Sequence, residues 1–109
     1  MADQADVYVN NNLADTISAA RYCLPGENKD LEVSITSGND EMIHLVRTET
    51  YLIIEPPSGK YTSDCTFSVS NEELLAWETM DDHWKVEIKP NNLPPDTPTT
   101  ANVEVSQVG

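Results

Sequence analysis

Positive charge is what this chain has least of. Six of its 109 residues are Lys or Arg, against 19 Asp and Glu, for a formal net charge of −13. The six are Arg21, Lys29, Arg47, Lys60, Lys85 and Lys89, and no two of them are adjacent. Nucleic acids and anionic membranes are held by clustered Lys and Arg, so direct nucleic-acid binding is not expected. If such a surface has a complement, it is a basic one. Long apolar runs are missing as well. No aliphatic run is longer than Leu52-Ile53-Ile54, far short of the ~20 residues of a membrane helix, so no transmembrane segment is expected. The start, Met1 to Asp6, has neither a basic head nor an apolar stretch and does not read as a signal peptide. The expected location is the cytoplasm as synthesised, or a virion.

Cysteine and glycine are scarce in the same informative way. Cys23 and Cys65 are too few for a disulfide framework or a zinc site, and two buried free thiols on strands are expected. The four glycines are Gly26, Gly38, Gly59 and Gly109, so no glycine-rich phosphate loop exists. What is present is ordinary for a globular chain: 39% apolar and 23% charged residues, which argues against disorder. The length suits a single domain spanning residues 1–109 with one modest core.

The commonest pattern is alternation with period two, the mark of a strand with one buried face. Val7 and Val9 alternate with polar neighbours, as do Leu31, Val33 and Ile35. So do Cys65, Phe67 and Val69; Trp84, Val86 and Ile88; and Ala101, Val103 and Val105. Met42-Ile43-His44-Leu45-Val46 and Tyr51-Leu52-Ile53-Ile54 are apolar on both faces, which suits central strands or strands with a covered outer face. Turn chemistry separates these runs at Leu24–Asp30, Ser37–Glu41 and Pro56–Gly59. The pattern predicts an all-β protein, an antiparallel β-sandwich of seven or eight strands. One short helix is expected near residues 71–80. Ser70-Asn71-Glu72-Glu73 reads as a capping box, Val69 and Leu74 as its hydrophobic staple, and Leu74 and Trp77, with Met80 as a further candidate, as its apolar face. Four of the seven prolines fall between Pro90 and Thr100, predicting an extended connecting arm at 90–100 that cannot be a central strand.

Chemistry-bearing motifs are few. His44 sits in an apolar strand and His83 in a turn. No His-x-His, His-Glu-x-x-His or Cys-x-x-Cys occurs, so no metal site is expected. Ser37–Glu41 offers oxygens but not the spacing of a calcium loop. Cys23 and Cys65 have strand-like, apolar surroundings and read as inert. The adjacent acids Asp40-Glu41, Glu72-Glu73 and Asp81-Asp82 lie in turns or at a helix end, where a catalytic pair would need a cleft and one raised pKa. The expectation is therefore no catalytic residue, no cofactor and no enzyme.

What remains is contact. Glu72, Glu73, Glu78, Asp81, Asp82 and Trp77, with Leu93, Pro94 and Pro95 of the arm, are the candidate partner-binding residues. Trp84 fits the inward register of its strand, and Trp77 fits the helix's apolar face, so both read as core. The leading expectation is a non-catalytic interaction or assembly protein that binds a protein partner or itself, such as an accessory structural subunit of a virion or similar particle. Alternatives are an acidic inhibitor filling the basic groove of a nucleic-acid-binding enzyme, and a small lipid- or glycan-binding module.

Overall fold

Alternating side chains can bury one face of a strand only if a second layer covers it, and this chain supplies that layer itself. The computed structural model describes residues 3–90 and 99–108. Among the described residues there are nine strands: β1 Gln4–Asn11, β2 Ile17–Cys23, β3 Asn28–Ile35, β4 Asp40–Val46, β5 Thr50–Glu55, β6 Cys65–Val69, β7 Leu75–Thr79, β8 Trp84–Ile88 and β9 Thr100–Gln107. They form two sheets, one of four strands in the order β4-β1-β9-β6 and one of five in the order β3-β2-β5-β8-β7. All pairings are antiparallel except β1 with β9, which run parallel. The parallel pair corrects the expectation of a purely antiparallel fold. A parallel neighbour needs a long connection, and alternation within single strands carries no information about strand direction.

The inner faces of both sheets feed one core. Val7, Val9, Leu45 and Val103 come from the four-stranded sheet; Leu52, Ile54 and Trp84 come from the five-stranded one. The Phe67 ring of β6 stacks on Trp84 of β8 with centroids 4.9 Å apart, joining the two layers. The radius of gyration is 13.3 Å, close to the roughly 13 Å of a packed chain of this length. Trp84 is core, as its register implies.

The expected helix at 71–80 is absent. Residues 72–74 form a turn and Leu75–Thr79 is strand β7. Among the described residues the only helical piece is a 3-10 turn at Thr62–Asp64. The Ser70 hydroxyl caps no helix; it accepts from the Asn102 amide at 2.8 Å, on the neighbouring strand. Asn71 then takes a left-handed φ of 57°, and its carbonyl accepts from the Leu74 amide at 3.0 Å. Tertiary pairing claimed the groups that a cap would have used. Of the predicted arm at 90–100, Thr100 opens β9; Leu93, Pro94 and Pro95 lie outside the described residues.

One polar bridge also spans the layers. Arg21 of β2 donates from Nη1 to the His44 carbonyl of β4 at 2.9 Å, and from Nε and Nη2 to the Asp30 carboxylate at 3.0 and 3.2 Å. These bonds, and after them a hydrogen bond from the Cys23 thiol, hold the Asp30 carboxyl below its ordinary pKa. A carboxyl depressed in the fold contributes stability that is present above its unfolded pKa of about 4 and is lost as pH falls through the folded value. Acid unfolding should therefore begin below pH ~4, and Asp30→Asn should flatten that limb of the stability–pH curve. An unchanged limb would show that the pair carries no proton linkage.

Candidate interaction surface

Every open sheet ends in strands with unpaired backbone on one side, and those edges decide what else the protein can touch. Here the edges are β4 and β6 in one sheet and β3 and β7 in the other. β3 carries Lys29, Asp30 and Glu32, and the register of its partner β2 slips at Arg21/Tyr22. β4 begins with two acids, Asp40 and Glu41. Charges and bulges of this kind blunt an edge. β7 pairs with β8 without a register slip and holds Leu75, Ala76, Trp77, Glu78 and Thr79. It has no Lys, no Pro and a large aromatic residue at its centre.

The phase of β7 follows from its flanking bonds. The Lys89 amide donates to the Leu74 carbonyl and the Met80 amide to the His83 carbonyl. Residues 74, 76, 78 and 80 therefore turn their backbone groups toward β8. By alternation the N–H and C=O of Trp77 and Thr79 point to the free side, where no strand among the described residues meets them.

Exposed apolar side chains lie on and just after this strand. Trp77 is 36% exposed, and its ring lies 6.3 Å from that of Phe67 on β6, tilted by 52°. The 3-10 turn is tied to the β7–β8 connection: the Thr62 amide donates to the Asp81 carbonyl at 3.0 Å, and its hydroxyl donates to the Met80 carbonyl. Met80, 41% exposed, and Tyr61, 61% exposed, flank this tie; by alternation Met80 lies on the outer face with Glu78, opposite Trp77. The Asp64 carboxylate fixes the turn by accepting from the Tyr61 amide at 2.9 Å.

Acidic groups rim this apolar strip. Glu72 and Glu73 occupy the turn before β7, Asp81 and Asp82 the bend after it, and Glu78 projects from the outer face of β7. Asp82 meets His83 at 2.7 Å. Across the strands Glu78 faces Lys85, whose ammonium sits over the Tyr51 ring, 4.6 Å from its centroid. The structure thus brings Trp77, Glu78 and the two acid pairs onto one edge. It separates the pairs by the length of a five-residue strand, where a helix would have clustered Glu78 with Asp81 and Asp82. Trp77 is a rim residue and not core. Met80 stands out in the sequence only as a candidate for a helix face, and Tyr61 not at all, because no local pattern marks the backbone bonds of Thr62 that bring the two turns together.

Other places offer less. A hollow of about 320 Å³ is lined by Leu13, Asp15, Pro57, Lys60, Asp64 and Cys65 among others. Burial first, then the Asp64 charge, pushes the Cys65 thiol up, so it stays protonated and a poor nucleophile. Cys23 is also raised, chiefly by its hydrogen bond to Asp30. Both thiols are free. His44 contacts Asp6 at 2.9 Å on the outer face of the four-stranded sheet, far in sequence and sheet from His83. Among the described residues no cluster of three or more His, Cys, Asp or Glu could hold a metal ion, and no helix is long and apolar enough to cross a membrane. On the outer face of the five-stranded sheet Tyr22 and Tyr51 stack on each other at 5.4 Å and 8°. Comparison with protein families, with characterised proteins and with solved structures finds no match to this chain.

Proposed function

We propose that this protein is a non-catalytic interaction and assembly subunit that docks a protein partner along the β7 edge. An accessory subunit of a larger particle, such as a virion, is the setting such a molecule suits. One observation carries the reading: Trp77 stands part-exposed on an edge strand, with acid pairs in the turns at both ends and exposed Met80 and Tyr61 at the turn that follows it. Exposed Trp and Tyr with an apolar centre and a polar rim are the composition of protein-binding patches. The rim favours a basic partner, because 13 uncompensated negative charges repel an acidic one at long range. The inhibitor alternative is weaker, since it rests on total charge while β7 divides the acids into two groups. A glycan platform is weaker too, since Tyr22 and Tyr51 turn their ring faces on each other.

The experiment is capture from the source lysate with the wild-type protein and with a Tyr61→Arg/Met80→Arg double variant. Both side chains are exposed enough for the fold to tolerate the change. The expected result is a partner that the wild type retains and the variant loses. Its binding should weaken between about 0.05 and about 0.5 M salt, as exposed charge contacts are screened. A partner held equally by both proteins would place the docking surface elsewhere.

A further inference from the structure

We infer that β7 is a strand-addition site for an extended segment of a partner, apolar opposite Trp77 and cationic at both ends, and not for a second copy of this chain. This inference rests on the docking surface proposed above and specifies its occupant. The free N–H and C=O groups of Trp77 and Thr79 would form the ladder, as when an extended peptide extends a sheet. In an antiparallel addition the residue facing Trp77 shares its face of the sheet. That residue would cover the exposed part of the indole, so it is apolar.

Charge decides between a foreign strand and a second copy. Two β7 strands paired antiparallel about Trp77 would set Leu75 against Thr79 and Ala76 against Glu78. The same register carries the Glu72–Glu73 turn of each copy against the Asp81–Asp82 turn of the other. A two-fold contact repeats every such clash, and like charges placed opposite are destabilising. Among the described residues Glu72, Glu73 and Asp81 have no ion-pair partner within the chain to relieve this. The acid turns guard the edge against self-association. A segment with Lys or Arg at both ends turns the same four carboxylates into complementary contacts. The β6 edge also faces outward beside Phe67, but the single acid at its start, Asp64, is engaged by the Tyr61 amide, whereas β7 has an acid pair at each end.

The test is backbone-amide hydrogen exchange on the full chain with a synthetic peptide of about eleven residues, two lysines at each end and alternating valine and threonine between. Exchange at the Trp77 and Thr79 amides should slow about tenfold or more on saturation. A peptide with glutamates in place of the lysines should leave both amides unprotected. Thr79→Pro removes an outward N–H while leaving the bonds to β8, and should abolish the protection. Glu73→Lys with Asp81→Lys leaves each end neutral and should abolish the preference for the lysine peptide. No slowing at about 1 mM lysine peptide, an affinity floor near 4 kcal/mol, overturns strand addition. So does protection of the Phe67 and Val69 amides in place of those on β7. If lysate capture depends on Tyr61 and Met80 but survives Thr79→Pro, the docking surface stands and strand addition falls. If capture ignores Tyr61 and Met80 while the peptide protects β7, strand addition at the β7 edge stands and the contribution of Tyr61 and Met80 to docking falls.

Discussion

Trp84→Ala should cost roughly 3–5 kcal/mol of folding stability. Trp84 is 1% exposed. Its ring fills the space between the sheets and stacks on Phe67 at 4.9 Å, while its backbone pairs with Ile54 on one side and Thr79 on the other. Truncation removes the transfer energy of the indole and leaves a void that two hydrogen-bonded sheets cannot close. A domain of this size has only about 5–15 kcal/mol to lose, so the midpoint of thermal unfolding should drop by about 15–25 °C. Trp77→Ala is the internal control. That ring is already part-exposed at the edge and should cost less than half as much. Urea unfolding of both variants gives the comparison. A loss below about 1 kcal/mol for Trp84→Ala would mean that the two layers do not meet across this ring.

The contrast between the two tryptophans shows what the sequence made legible. Alternation marks β1, β3, β6, β8 and β9 because each turns one face to the core. Apolar runs on both faces mark β4 and β5. In β5 the outward Tyr51 is buried all the same, under Tyr22 and Lys85. β2 gave no such signal. Ala20 is buried on its outer face, and the inward Arg21 is charged, so apolar and polar residues fall on the wrong sides of the pattern. β7 was masked by a stronger local cue. Ser70 to Glu73 matches a helix start, and Leu74 with Trp77 matches a helix face. Yet Leu75, Trp77 and Thr79 fit a strand equally well, and β8 beside them settled the competition. The acids and Trp77 of the candidate surface were therefore visible as residues. Their arrangement was not, because it depends on which period won.

Asn11→Ala should cost about 2–4 kcal/mol, from a residue that no motif singles out. Asn11 ends β1 and is fully buried. Its side-chain amide donates to the Asp15 and Ile35 carbonyls, both at 2.8 Å, and its oxygen accepts from the Leu13 amide at 2.9 Å. β1 and Ile35 belong to different sheets, so one side chain pins the β1–β2 connection and clasps the two layers at that end. Alanine would leave the Ile35 carbonyl and the Leu13 N–H buried without partners, which costs more than the bonds themselves contribute. Asn11→Asp separates hydrogen bonding from packing, because the shapes match. A carboxylate cannot donate, so it would face both carbonyls as a buried anion and should destabilise more than alanine at neutral pH. Its pKa in the fold would be raised. The deficit relative to wild type should then shrink as pH falls through that raised value, when the protonated acid regains one donor. Paired urea titrations of wild type and variant at about pH 7 and about pH 5 read this difference. A deficit that does not change with pH would show that the Asn11 site is wet, and that its bonds to the two carbonyls do not hold the sheets together.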